Sequence, residues 1–259
     1  MSGHRFFMVT HFEKLFGISP KDFFNSVWEK NAYLGYSGFD TSGDDTLDNE
    51  LPHWTDDHIR QLIDQDTVLV RDSRRLLTHV YQDKDGRASP SKIRHLWDMG
   101  FTIYINHFHK KNKLAASIKE ALEAELYPLK IGINFFATPA NSTGLKAHFD
   151  AHDNFVIQTL GEKKWDLWKA IKQNVRHDME PERYADSVQN YVNLQEADYS
   201  MLMDKGKCLY LPRGLIHSPK AVGVSHHLTV WFLSPLLDEI PKHKLFTDFR
   251  RQCEKLYNI

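Results

Sequence analysis

Hydrophobic positions change their spacing near Pro128, and the change divides the chain into a helical part and a strand-rich part. Upstream, Leu114, Ile118, Leu122 and Leu126 recur every four residues, which predicts a helix from about Asn112 to Leu126. Two further helices are predicted at capping signals that place a proline at the first helical position, Ser19-Pro20 and Ser89-Pro90. Another helix is predicted to begin near Thr55, with Ile59, Leu62 and Ile63 facing inward. The acidic stretch from Gly38 to Glu50 is predicted to be a loop.

Downstream, short runs of β-branched and aromatic residues alternate with turn residues, which is typical of strands. The predicted strands are Lys130 to Ala137, Ala147 to Asp150, Asn154 to Thr159, Lys163 to Trp168, Lys207 to Leu211 and His227 to Leu233, with one earlier strand from Phe101 to Ile105. The pattern predicts a mainly β fold, a sandwich or small barrel, with an α elaboration. Residues 1–127 are interpreted as helices packed on the core, 128–234 as the β core and 235–259 as a tail with a closing helix.

Composition narrows the function classes. The 259 residues carry 33 Lys and Arg against 34 Asp and Glu, a net charge of −1, so we expect neither nucleic-acid nor membrane binding. The 15 histidines and two cysteines favour nitrogen and oxygen ligands over thiolates for any metal. No signal-peptide pattern and no bilayer-spanning apolar stretch is found in the sequence, which predicts a cytoplasmic protein.

The triplet His148-Phe149-Asp150 is the first candidate for metal chemistry. On a strand, residues i and i+2 share a face, so the imidazole and the carboxylate can reach one ion while Phe149 points away. His217, after a Pro-Arg-Gly turn, is the candidate third ligand. Two histidines and one carboxylate are the ligand set of non-haem Fe(II) sites with open positions. His152 and Asp153 remain alternative ligands at this stage.

Two separated blocks surround these residues. The first runs from Asn134-Phe-Phe-Ala-Thr-Pro through His148-Phe-Asp150 to Gly161-Glu-Lys-Lys-Trp165, and the second from Gly206-Lys-Cys-Leu-Tyr-Leu-Pro-Arg-Gly-Leu-Ile-His217 to Ser225-His-His-Leu-Thr-Val. In order and spacing they resemble the cupin-like JmjC oxygenases, especially the branch of protein hydroxylases that includes ribosomal oxygenases. The resemblance spans roughly residues 128 to 234, with weaker similarity at Gly100-Phe-Thr-Ile-Tyr-Ile.

This resemblance implies a double-stranded β-helix (jelly-roll) core that uses Fe(II), O2 and 2-oxoglutarate. By position it implies that His148, Asp150 and His217 bind the metal and that Lys163 pairs with the distal carboxylate of 2-oxoglutarate. Lys164 is the competing assignment, which strand alternation disfavours. The residues that the resemblance places around the co-substrate are Asn134, His227 and Thr229. His226, next to His227, is predicted to point outward.

Two positions depart from the related ribosomal oxygenases. They have a tyrosine where this chain has Phe136, and a serine near the position of Trp231, and both hydroxyls help to hold the co-substrate there. The departures leave the details of the pocket open.

The function expected from the resemblance is hydroxylation of an amino-acid side chain in a peptide or protein, or in a peptide-derived metabolite. The alternatives are a hydroxylase of a free amino acid or natural product, a lysine demethylase, and a metal-binding cupin scaffold without turnover. By analogy with related enzymes, a homodimer is also expected.

Overall fold

A computed structural model describes residues 9–127, 129–169, 175–176 and 178–233. The predicted closing helix and the tail 235–259 lie outside the described residues. Among those described, no helix is both long enough and apolar enough to cross a membrane.

Nine strands form one antiparallel network with the order β1-β8-β6-β9-β5-β4-β2-β3, and β7 pairs with β6 beside this path. Their bounds are β1 Tyr33–Tyr36, β2 Thr67–Arg71, β3 Arg74–Arg75, β4 Thr102–Ile105, β5 Lys130–Thr138, β6 Asp153–Trp168, β7 Tyr199–Met203, β8 Lys207–Leu211 and β9 Ile216–Leu233. The two predicted strands at 154–159 and 163–168 are therefore one long strand, and β1, β2, β3 and β7 were missed by the sequence patterns.

The two long strands β6 and β9 each belong to two sheets. The register between them shifts twice, between Gln158 and Leu160 and between Gly161 and Lys163. Gly161 has φ 65°, and a Cβ there would lie 1.7 Å from the carbonyl oxygen of Val224, so only glycine fits this bulge. Because bulges bend strands, the first half of β6 lies in a large sheet with β8, whereas its second half lies in a small sheet with β7. This double layer is the predicted jelly-roll core.

Helices α1 to α6 cover the outer face of the large sheet. Within the described residues the helices are α1 His11–Phe16, α2 Pro20–Asp22, α3 Asp45–Asp48, α4 Asp56–Leu62, α5 Pro90–Asp98, α6 Lys113–Glu125 and α7 Ala185–Leu194, and a π-helical turn, Phe23–Val27, continues α2. Helix α7 packs elsewhere, against Phe149 and Trp168. The Asn112 side chain accepts a hydrogen bond from Ala115 N–H and starts α6 as the sequence pattern predicts. The predicted loop at 38–50 instead contains α3, which is capped by Asp44.

Strand alternation separates a hydrophobic core from a cavity. On β5, Ile131, Ile133, Phe135 and Ala137 pack into the core under the helices, whereas Gly132, Asn134, Phe136 and Thr138 face the other side. On β9, Leu228, Val230 and Phe232 join the same core, and His227, Thr229 and Trp231 line the cavity. The inner face of the large sheet, which carries Asn134, Thr138, His227 and Thr229, therefore borders a space between the two sheets.

Two sequence predictions need correction: the strand from Ala147 to Asp150 and the outward position of His226. Ala147 to Asp150 is not a strand, because only His148 pairs with a neighbour, through an isolated bridge to His217, and the carbonyl of Asp150 accepts a hydrogen bond from Gly214 instead. His226 does point away from His227, but it is fully buried, because Trp54 and Trp97 from the helical part cover that face of the sheet.

Candidate metal centre and adjoining cavity

His148, Asp150 and His217 come together at the edge of the small sheet, and their ligand atoms all lie within 4.8 Å of one another. The Nε2 atom of His148 lies 3.8 Å from Asp150 Oδ1, and Nε2 of His217 lies 3.6 Å from Asp150 Oδ2. The His148–His217 bridge brings the two histidines together, with backbone N···O distances of 3.0 and 2.8 Å. Phe149 points the opposite way, into a small hydrophobic cluster under α7, as the sequence predicts.

Hydrogen bonds orient all three side chains. Nδ1 of His148 donates to the carbonyl of Lys146 at 2.7 Å, and Nδ1 of His217 donates to the carbonyl of Leu215 at 3.0 Å. Each Nε2 atom then keeps its lone pair for a metal. The buried Asn154 donates from Nδ2 to Asp150 Oδ2 at 2.7 Å and holds the carboxylate. The HxD motif gives no signal for this contact, which depends on the start of β6 lying beside the ligand loop.

Burial lowers the pKa of His217 to about 4, and the neighbouring His148 adds to the effect. The imidazole is therefore neutral at physiological pH, which is the form that binds metals. Among the described residues, this trio is the only group of three such side chains with metal-binding proximity. Asp153 is instead buried beside Tyr210, whose hydroxyl donates to its Oδ1 at 2.6 Å, and the His152 ring lies 5.6 Å from that of Trp231.

A cavity of about 960 Å³ adjoins the trio, and Lys163 lies in its wall. Lys163 is only 3% exposed, and its Nζ donates to Thr138 Oγ1 at 3.0 Å and to His227 Nδ1 at 3.1 Å. Within the described ranges no carboxylate pairs with it, so one of its three N–H donors is left for a ligand. Lys164 is instead half-exposed and forms an ion pair with Asp166, with an Nζ–Oδ1 distance of 3.0 Å.

Burial lowers the pKa of Lys163 from 10.5 to about 7. Burial and the charge of Lys163 together hold the pKa of His227 well below its usual value, so that this imidazole stays neutral and its Nδ1 accepts a hydrogen bond from Lys163. A buried lysine without a carboxylate partner costs folding free energy, and such perturbed groups in a cavity are typical of ligand sites.

The remaining co-substrate candidates also line the cavity. Thr229 faces it from β9, and Asn134 faces it from β5. The Asn134 amide is held at both ends, because Oδ1 accepts from His107 N–H at 3.0 Å and Nδ2 donates to the Tyr104 hydroxyl at 3.0 Å.

Tyr104 is a cavity residue that the sequence patterns missed. Phe136 stacks between the Tyr104 ring, at 4.2 Å between centroids, and the His227 ring, at 4.7 Å. Burial and the Asp150 charge raise the pKa of the Tyr104 hydroxyl, which therefore stays protonated. Tyr104 therefore contributes a hydroxyl to the cavity wall beside Phe136, which has none. The alternation of Thr102 and Tyr104 on the predicted strand was the available signal.

Trp231 forms another wall of the cavity and lies opposite Gly132 in the strand register. A Cβ on Gly132 would lie 1.9 Å from the indole, so the tryptophan packs directly against the glycine backbone. The structure places all seven of the predicted site residues around this one space: His148, Asp150, His217, Lys163, Asn134, Thr229 and His227.

Comparison with known proteins now adds to this geometry. Residues 105–240 match the profile of the JmjC domain. This chain belongs to the JmjC family. The match includes both sequence blocks and all seven site positions, and so confirms the resemblance read from the motifs.

Curated relatives place this JmjC chain in the branch that includes ribosomal oxygenases. It is 26% identical over 219 residues to the bifunctional lysine-specific demethylase and histidyl-hydroxylase NO66 of Drosophila willistoni, covering 82% of this chain and 27% of that one. It is 31% identical over 152 residues to ribosomal oxygenase 2 of Mus musculus, covering 57% of this chain and 31% of that one. The chain therefore spans about a third or less of the length of these relatives.

A solved structure shows the same JmjC fold. The Escherichia coli ribosomal oxygenase YcfD, determined in complex with cobalt and 2-oxoglutarate, aligns with a TM-score of 0.59 and 17% identity. The alignment covers 93% of this chain and 58% of YcfD.

Proposed function

We propose that this JmjC protein is an Fe(II)- and 2-oxoglutarate-dependent dioxygenase that hydroxylates an amino-acid side chain in a peptide or protein, or in a peptide-derived metabolite. The observation that carries the proposal is a single cavity with two chemically matched parts. One part is the cluster of two histidines and a carboxylate, and the other is the buried cation of Lys163. The first is the ligand set of non-haem Fe(II) sites with open positions, and the second matches a dicarboxylate, whose negative charge offsets the burial of the cation.

His148, Asp150 and His217 would hold Fe(II) through two nitrogens and one oxygen. The donor set fits the ion, and because each Nδ1–H donates to a backbone carbonyl, Nε2 is the ring nitrogen that a neutral imidazole offers to the metal. When bound, the metal supplies the redox chemistry that couples oxidative decarboxylation of 2-oxoglutarate to hydroxylation of a substrate carbon. The protein orients both molecules and excludes bulk water.

Lys163 would bind the distal carboxylate of 2-oxoglutarate through its remaining N–H donor. The Tyr104 hydroxyl would donate a hydrogen bond to the same co-substrate. Its oxygen already accepts a hydrogen bond from Asn134, and its O–H group has no acceptor among the described residues. Thr229 and Asn134 would complete the polar wall, and the neutral His227 would hold the Lys163 ammonium in place.

The substrate class is supported by the size of the cavity and by the names of the relatives. About 960 Å³ is at the upper end of small-molecule pockets and leaves room beside a five-carbon co-substrate. Curated relatives are named as histidyl-hydroxylase and as ribosomal oxygenase. Both charge signs occur at the cavity wall, with Arg74 and Lys146 against Glu182 and Asp186, so charge alone selects neither a basic nor an acidic substrate.

The test measures succinate formation from 2-oxoglutarate with added Fe(II), together with mass spectrometry of candidate peptides for the gain of one oxygen atom. We expect succinate from the wild-type protein and none from His148→Ala. Lys163→Met is expected to lose 2-oxoglutarate binding, whereas its neighbour Lys164→Met keeps it. Equal succinate from the wild-type protein and His148→Ala would contradict the metal assignment, and normal co-substrate affinity in Lys163→Met would contradict the pocket.

A metal-binding scaffold without turnover is the second candidate, and the apolar Phe136 in the co-substrate wall is the observation that favours it. It predicts metal and 2-oxoglutarate binding without succinate. The position of the Tyr104 hydroxyl against Phe136 weakens this reading, because the wall keeps a donor.

A further inference from the structure

The two-residue turn between β2 and β3 has an unfavourable backbone. Asp72 has φ 50° and Ser73 has φ 66°, and neither residue is glycine. Two-residue hairpin turns with both φ values positive favour Asn-Gly, Asp-Gly or Gly-Gly, because a Cβ is strained in the left-handed region. Aspartate is tolerated at the first position, whereas Ser73 occupies the position where glycine is preferred. Strained backbone persists where the surroundings hold it, and it clusters at functional sites.

Three hydrogen bonds hold this turn against the loop that leads to His148. Asp72 N–H donates to the carbonyl of Thr143 at 2.8 Å, and Ser73 N–H donates to the carbonyl of Gly144 at 2.8 Å. In the opposite direction, Lys146 N–H donates to Ser73 Oγ at 2.9 Å. The positive φ values thus accompany a turn that presents two N–H groups and one hydroxyl to the same loop.

The hydroxyl contact leads directly to the metal centre. Lys146, whose N–H is bonded to Ser73, uses its own carbonyl to accept Nδ1–H of His148 at 2.7 Å. The Ser73 hydroxyl therefore restrains the residue whose carbonyl sets the ring orientation of His148 and leaves its Nε2 atom facing Asp150. Ser73 lies outside residues 105–240, which match the JmjC profile.

We propose that Ser73 is a positioning residue for His148, an inference that rests on the proposed function. Without the hydroxyl, Lys146 loses a backbone restraint, and the His148 ring samples orientations that do not favour the metal. Groups that directly hold a metal ligand change metal affinity by about 10–100-fold when removed. Ser73 acts through one further residue, so its removal should weaken binding by about three- to tenfold.

The experiment titrates the full chain with Co(II) alone and follows the visible absorption of the bound ion, while urea unfolding is measured in parallel without metal. Ser73→Ala removes the hydroxyl and keeps the strain, whereas Ser73→Gly removes both. Asp72→Gly is the matched control, because it relieves strain at the adjacent position and keeps the bond from Lys146 to Ser73.

We expect Ser73→Ala and Ser73→Gly to bind Co(II) with the same weakened affinity and an altered absorption band, although Ser73→Gly unfolds at a higher urea concentration than Ser73→Ala. Asp72→Gly should bind within about twofold of the wild-type protein. Unchanged Co(II) affinity in both Ser73 variants would overturn this inference and leave the proposed function standing. The same holds if Co(II) affinity simply follows the urea midpoint through all three variants. Absence of Co(II) binding by the wild-type protein would overturn the proposed function with it.

Discussion

Lys163 offers the sharpest test, because the structure predicts that its removal stabilises the protein while abolishing co-substrate binding. Its pKa is about 7 in the folded protein and 10.5 as an ordinary lysine. Since the folded pKa is the lower one, protonation favours the unfolded chain, and the cost is complete below pH 7 and vanishes as the pH rises to 10.5. At ~1.4 kcal/mol per pKa unit, the cost is about 4 kcal/mol at pH 7 and about 1 kcal/mol at pH 9.5.

Lys163→Met removes this cost and also removes the hydrogen bonds to Thr138 and His227, worth about 1 kcal/mol each. The variant should therefore be about 2 kcal/mol more stable than the wild-type protein at pH 7 and roughly equal to it at pH 9.5. The assay is urea unfolding followed by tryptophan fluorescence at both pH values, without metal or 2-oxoglutarate.

Lys164→Met is the control for this measurement, because it removes a lysine that is half-exposed and lies outside the cavity. Its unfolding free energy should change by less than about 1 kcal/mol at either pH. A Lys163→Met protein that is less stable than wild type at pH 7, or that differs from it equally at pH 7 and 9.5, would refute the reasoning. Added 2-oxoglutarate with metal should stabilise the wild-type protein and leave the variant unchanged.

Three further predictions concern residues that the motifs did not identify. Tyr104→Phe should raise the KM for 2-oxoglutarate about tenfold, since a hydrogen bond to a charged group is worth about 1.5 kcal/mol; an unchanged KM in succinate assays would remove Tyr104 from the site. Asn154→Leu should weaken Co(II) binding by about tenfold or more, because Asp150 loses the donor that holds it; wild-type affinity in the same titration would show that Asp150 needs no support. His226 has no hydrogen-bond partner among the described residues, and burial lowers its pKa to about 3. Because the folded pKa lies below the ordinary 6.5, protonation favours the unfolded chain, and the wild-type protein loses stability as the pH falls below 6.5. The free energy of unfolding that His226→Leu gains over wild type should therefore be about 2 kcal/mol larger at pH 5 than at pH 7.5. A pH-independent difference would contradict the buried, neutral state.

The metal centre depends on parts of the chain that lie far apart in sequence. Tyr104 and Ser73 both precede Pro128, in the part that the patterns assign to a helical elaboration. In the structure, β4 and the β2–β3 turn extend the large sheet and form part of the cavity wall. The elaboration thus contributes groups to the site in addition to covering the hydrophobic core.

The sequence by itself determined the elements that follow local rules. Period-two alternation predicted β5 and the end of β9, the Ser89-Pro90 capping signal predicted α5, and four-residue spacing predicted α6. Each of these signals depends on residues within one strand, turn or helix, so no knowledge of the remaining chain is needed. The candidate site residues His148, Asp150, Lys163 and His217 came from the HxD triplet together with the resemblance of two sequence blocks to the JmjC oxygenases.

Only the tertiary structure decided which groups complete that site. Asn154 and Ser73 act through hydrogen bonds to other segments, and the Tyr104 hydroxyl group belongs to the cavity wall because the register of β4 against β5 pairs Tyr104 with Phe136. His226 was predicted to point outward, and the structure buries it, because alternation describes which face of a strand a residue occupies but not what covers that face. Strand register and the covering of a face are set by pairing between distant segments, and a local pattern carries no information about either.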